Sequence, residues 1–215
     1  MIKNKSDLKY YLEADKIALE TKRKKDISEF IAGLFFPDHI LNFQKLLRKT
    51  EYVKNCKHGL LGRTLYAYYL WKLQKVSLKL GFCIYPNNFG PGLSISHPGP
   101  IIINPAARIG SNCRIHPCVV IGTQAGRSEQ VPKLGNNIYI GPGVKIFGSI
   151  EIADNIAIGA NSVVNKSFMD AGITIAGVPA RKISDQSSEG LTINATDELN
   201  STGLGEFNGH RSRTK

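Results

Sequence analysis

The chain has 215 residues, 42% hydrophobic and 21% charged, an ordinary balance for a soluble chain that allows one or two domains with real cores and demands no staple. Cys56, Cys83, Cys113 and Cys118 have none of the short paired spacings of a zinc site, so no metal is expected and a reducing compartment fits best. The net charge of +11 belongs to the front: residues 1–80 hold 17 Lys and Arg against 8 Asp and Glu, and 81–215 hold 11 against 9. These charges are scattered over helical segments without a nucleic-acid motif, which predicts solvated helix faces and no nucleic-acid partner.

In chain order, the start MIKNKSDLKYYLEADK has no apolar signal region, and the densest apolar stretch, Leu60 to Leu80, is interrupted by Arg63, Lys72, Gln74, Lys75 and Lys79. The expectation is a cytoplasmic protein that does not span a membrane. Residues 1–80 read as a helical domain, with helices over 6–20, around 27–34, over 38–56 after Pro37 and over 60–80, and a turn at 24–28. In the last helix Leu61, Leu65, Tyr69, Leu73, Val76 and Leu80 form a stripe, widened by Tyr66 and Trp71, expected to pack on a partner helix or on the next domain.

From there the period changes. Ile103, Ile109, Ile115 and Ile121, then Leu134, Ile140, Ile146, Ile152, Ile158 and Val164, recur every six residues, with one thirteen-residue step. A second small or branched residue follows four places later in each six: Ala107, Cys113, Val119, Ala125, Ile138, Val144, Ile150, Ile156 and Ser162. Turn formers such as Gly110, Gly122, Gly135 and Gly141 stand beside the aliphatics, so each six is a short strand and a turn. Three sixes make one triangular coil of a solenoid, and each aliphatic stacks on its equivalent about eighteen residues away. Residues 81–183 are therefore expected to form a mainly β solenoid domain, and 184–215, polar and without period, an unstructured tail.

FGPGLSISHPGPIIINPAARIGSNCRIHPCVVIGT, PKLGNNIYIGPGVKIFGSIEIADNIAIGANSVV and IAGVPAR together resemble the hexapeptide-repeat acyltransferases, within them the serine O-acetyltransferase group and its relatives found with bacterial polysaccharide genes. The resemblance covers about residues 60–183. It implies a left-handed parallel β-helix, against the usual right-handed crossover rule. It also implies a homotrimer with sites between subunits and acetyl-CoA as co-substrate, with no permanently bound cofactor.

His97 counts one six before Ile103, which predicts an imidazole at a position otherwise aliphatic. The match at ISHPG assigns it the general base: histidines ordinarily titrate near 6.5, and a neutral one can take the hydroxyl proton as oxygen attacks the thioester. His116, outward in the next coil, is the understudy. The chain departs from the family at three positions that would meet the acceptor or orient the base: Ser96 replaces an acidic residue, Cys83 stands near the place of the histidine-orienting aspartate, and Val131 replaces a histidine before the Pro-Lys pair. An acceptor with charged amino and carboxylate groups loses partners by these changes, which predicts a sugar or glycan-precursor hydroxyl. Free serine, and a non-catalytic scaffold, are the alternatives. Arg127, Glu129 and Gln130 either contact the acceptor or are solvated loop residues. The resemblance assigns the pantetheine arm to Gly122, Thr123, Pro142 and Ala160 and the adenine end to Ala176, Gly177, Pro179 and Arg181, with Lys166, Arg181 or Lys182 facing phosphate.

Overall fold

The computed structural model describes residues 1–19, 38–126 and 130–202. Among the described residues three helices come first: α1 (Lys5–Ala18), α2 (His39–Cys56) and α3 (Gly59–Leu80). The Asn4 side chain caps α1 by accepting from the Asp7 amide at 2.8 Å, and Asp38 caps α2 by accepting from Leu41 at 2.9 Å. Gly62 lets α3 start close against α2, because a Cβ there would stand 2.5 Å from the Lys57 carbonyl oxygen. The expected helix around 27–34 and the turn before it lie outside the described residues.

The α3 stripe is only partly buried. Leu73 and Leu80 face inward, but Leu61, Leu65 and Trp71 are exposed, so the expectation that the whole stripe packs is corrected. The inward helix positions join the solenoid core: Phe43 and Leu47 of α2 and Leu80 of α3 close its first coil, with the Phe43 and Phe82 rings edge to face at 5.0 Å.

A buried ionic network fastens α1 and α2 to that coil. The Arg48 guanidinium bonds Asp15 at 2.8 and 3.1 Å and Glu51 at 3.0 Å, and donates to the carbonyls of Phe89 (3.0 Å) and Gly90 (2.7 Å). Asp15 accepts in turn from the amides of Gly92 and Leu93. Burial alone would lower the Arg48 pKa; Asp15 and Glu51 reverse this and hold it above its ordinary value, so the guanidinium stays charged.

The solenoid has three parallel faces. Face A holds β1 (Phe82–Cys83), β3 (Ile101–Ile103), β6 (Val119–Gly122), β9 (Lys145–Phe147) and β12 (Val163–Val164). Face B holds β4 (Arg108–Ile109), β7 (Lys133–Leu134) and β10 (Glu151–Ile152). Face C holds β2 (Ser94–Ile95), β5 (Arg114–Ile115), β8 (Tyr139–Ile140), β11 (Ala157–Ile158) and β13 (Thr174–Gly177), closed by the antiparallel β14 (Ala180–Ser184). Ile103 pairs with Ile121, Ile121 with Ile146 and Ile146 with Val164, so the step is eighteen residues except where the loop after β6 adds seven. All ten leading aliphatics are buried, each such side chain contributing roughly 1.5–3 kcal/mol. Of the second positions only Ala125 is exposed, because it belongs to that loop.

The tail differs from expectation. Residues 185–202 are ordered: they run back along the edge between faces B and C and end in α4 (Ala195–Ser201), whose Ala195 and Leu199 bury against Ile2, Tyr10 and Ala14. Their polar side chains serve that edge. Asn112, Asn137 and Asn155, all in the left-handed region, form an amide ladder at 2.9 and 2.8 Å, and Asn194 and Thr196 accept from Asn112 at 2.8 Å. Residues 203–215 lie outside the described ones. No helix among the described residues is long and apolar enough to cross a membrane.

Candidate active site

His97 sits in the turn from face C to face A of the first coil, and the turn corrects the counted phase. Ile95, not His97, pairs with Ile115 and is buried; the step from Ile95 to Ile115 is twenty residues because the turn holds two extra. His97 is therefore an exposed edge residue rather than an inward one. The turn is held on both sides. Ser96 donates from its amide (3.1 Å) and its hydroxyl (2.9 Å) to the Ile115 carbonyl, and the Gly99 amide donates to Leu80 at 2.9 Å. Gly99, at φ 143°, lies so close to the Pro117 ring that a Cβ would come within 2.9 Å. The end of α3 and the second coil thus fix the backbone that carries the imidazole.

The pairing register makes a continuous edge of this corner. Ile95, Ile115, Ile140, Ile158 and Ile175 are aligned, so the turns that follow them, bearing His97, Pro117, Pro142, Ala160 and Gly177, form one column of turns, with Gly99 of the longer first turn against Pro117. Four coil steps at the strand spacing of roughly 4.8 Å set Gly177 about 19 Å from the level of His97. Ala176, Gly177, Pro179, Arg181 and Lys182 form the hairpin that ends the column, with the Val178–Pro179 peptide cis. Arg181 and Lys182 are exposed, and Lys182 is paired with Asp185.

The other candidates are elsewhere in the chain. Gly122, Thr123, Gln130, Val131 and Lys166 follow strands of face A at the opposite edge, between faces A and B, so one copy does not bring them to His97. There Val131 borders a cavity of about 210 Å³ with Lys133, Glu151 and Met169. Lys166 lies over the Phe168 ring at 5.3 Å. Arg127 and Glu129 lie outside the described residues. Cys83 is on the outer side of β1, and its thiol donates to the Tyr85 hydroxyl at 3.6 Å. Among the described residues no carboxylate bonds His97.

Two neighbours of His116 went unread in the sequence. Arg114 and Tyr139 flank His116 on the outer side of face C, the His116 and Tyr139 rings meeting edge-on at 5.2 Å. Burial lowers the His116 pKa, and the charges of Arg114 and His97 push the same way. The outward alternation of β5 and β8 carried that signal, but the register joining them crosses the loop after β6.

No family model matches the chain. It is similar to the serine acetyltransferases of Synechococcus elongatus (35% identity over 108 residues, 49% of this chain and 44% of that one) and Helicobacter pylori (35% over 105, 48% and 61%). The chain thus spans about half the length of the curated relatives it matches. Two solved structures superpose on most of it: serine acetyltransferase of Brucella abortus in complex with coenzyme A (TM-score 0.66, 27% identity, 84% of this chain and 69% of that one) and the Neisseria gonorrhoeae enzyme in complex with serine (TM-score 0.63, 26%, 82% and 69%). The fold is the left-handed parallel β-helix with a helical N-terminal part. Over about half its length the chain is similar to the serine acetyltransferases, and its fold is that of their solved structures.

Proposed function

We propose that this chain is an acetyl-CoA-dependent O-acetyltransferase with His97 as general base. The column from His97 to Gly177 carries the reading: a base at one end of an open edge, small residues along it and exposed cations at the far end suit a thioester arm lying lengthwise. Neutral His97 takes the proton of the acceptor hydroxyl as its oxygen attacks the thioester carbonyl. The C–S bond breaks, coenzyme A leaves as thiolate, and the imidazolium returns the proton to sulfur.

The same reading assigns a homotrimer. The outer column of face A is Cys83, Ile102, Val120, Lys145 and Val163, mostly apolar, and the Lys145 ammonium turns away to the Cys118 and Gly143 carbonyls. A second copy packed there would bring the His97 edge of one subunit to the Gly122–Val131 edge of the next.

For the acceptor, the solved relative with serine bound supports free serine. A specific observation favours a sugar hydroxyl instead: the Ser96 hydroxyl donates to the Ile115 carbonyl, and Val131 presents no polar atom, so neither supplies the acceptor contact that the family resemblance implies at its position. Release of free thiol from acetyl-CoA across L-serine, sugars and nucleotide-sugars separates the two. Release with serine alone establishes the cysteine-precursor reaction, release with a sugar alone establishes glycan acetylation, and silence throughout with no acetyl-CoA binding overturns the assignment.

A further inference from the structure

Independently of the acyltransfer reading, α3 presents a face that the described residues leave uncovered. Leu60, Leu61 and Leu78 are 81, 82 and 84% exposed, and Tyr68 and Trp71 about half. Helical spacing puts Leu61, Leu65, Tyr68, Lys72, Lys75 and Lys79 in one row, with Leu60, Trp71 and Leu78 in the row beside it. Lys72 and Lys75 fold back over the Tyr68 and Trp71 rings at 4.8 and 3.8 Å. The surrounding sequence is one-signed: between Glu51 and Glu129 there are nine Lys and Arg and no Asp or Glu.

We infer that this face of α3 docks on an anionic membrane surface. A helix of 22 residues, about 33 Å long at 1.5 Å per residue, can lie in the headgroup plane with its leucines and tryptophan at the acyl boundary. Trp and Tyr favour that boundary, and lysine stems reach from it to phosphate. Charge selects this occupant over the others. A second copy offering the same face would set Lys72, Lys75 and Lys79 against their own kind. A nucleic acid would satisfy the lysines but leave three leucines against phosphate and water.

Trp71 is the single tryptophan of the chain and reports the contact directly. The full chain is mixed with vesicles of phosphatidylcholine containing phosphatidylglycerol, with vesicles of phosphatidylcholine alone, and with duplex DNA, following Trp71 emission and co-sedimentation. A blue shift and sedimentation with the anionic vesicles, weakened by salt, are expected. Lys72→Gln/Lys75→Gln/Lys79→Gln should lose affinity on the order of a hundredfold, from roughly fivefold per lysine. Leu61→Gln/Leu78→Gln, which keeps every charge, should abolish the blue shift; unchanged circular dichroism shows both variants folded. No shift with anionic vesicles overturns the inference, as does equal binding to neutral ones. A stronger response to DNA overturns it in favour of nucleic acid. Trp71 already buried without vesicles shows that another copy or segment covers the face, and overturns it too.

Discussion

At the scale of single residues, the turn that carries His97 is held from both sides, by the Leu80 carbonyl and by the Ile115 carbonyl. The histidine of ISHPG was found by resemblance, but counting sixes back from Ile103 put it two places out of phase, because a period cannot reveal the extra residues in a Pro98-Gly99-Pro100 turn. Arg48, Asp15 and Glu51 gave no signal at all, since Arg48 and Asp15 are 33 residues apart and each reads as an ordinary helix charge. Arg48→Ala would leave two buried carboxylates uncompensated and should destabilise the chain by about 3–5 kcal/mol in denaturant titration; a loss below 1 kcal/mol would mean that the network is solvated. His116 gives a pH prediction. Burial first, then Arg114 and His97, lower its folded pKa, so the folded state binds that proton less tightly than the unfolded chain. Its contribution to stability is complete above the ordinary value near 6.5 and is lost as pH falls from there through the lowered folded value. A proton NMR titration should find His116 below 6.5 and moved upward in His97→Ala.

At the scale of elements, the coil strands were legible because each six repeats one decision, aliphatic inward and turn former outward, ten times over. The segment 185–202 repeats nothing. Its Ser188, Asn194 and Thr196 look like solvated tail residues, yet they bond the asparagine edge, and Leu191, Ile193, Ala195 and Leu199 are too few and too irregularly spaced to mark a docked helix. Leu199→Ala should therefore release α4 from α1, removing about 2–5 kcal/mol of local protection. Hydrogen exchange would show faster amides in α1 and α4 while those of β8 keep theirs; uniform acceleration would mean that the strap and the coil unfold as one. Ile140→Ala should do the reverse, lowering the stability of the whole solenoid by a similar amount, because its neighbours Ile115 and Ile158 lose the layer between them.

At the scale of the molecule, the helical part closes the coil base with Phe43, Leu47 and Leu80, and the helix end at Gly81 supports the turn bearing His97. The candidate site was legible as a set of residues but not as a shape. His97, Pro142, Ala160 and Gly177 share one edge while Gly122, Thr123 and Val131 hold the other, a separation visible only once the corners are known. Acetyl transfer as proposed requires His97 as the proton acceptor. The most direct test is the rate of thiol release from acetyl-CoA by the wild-type chain and by His97→Ala with the best acceptor found. A loss in kcat of about 10²–10⁴-fold, with acetyl-CoA binding retained, is expected; equal rates in the two proteins would contradict a base role for His97.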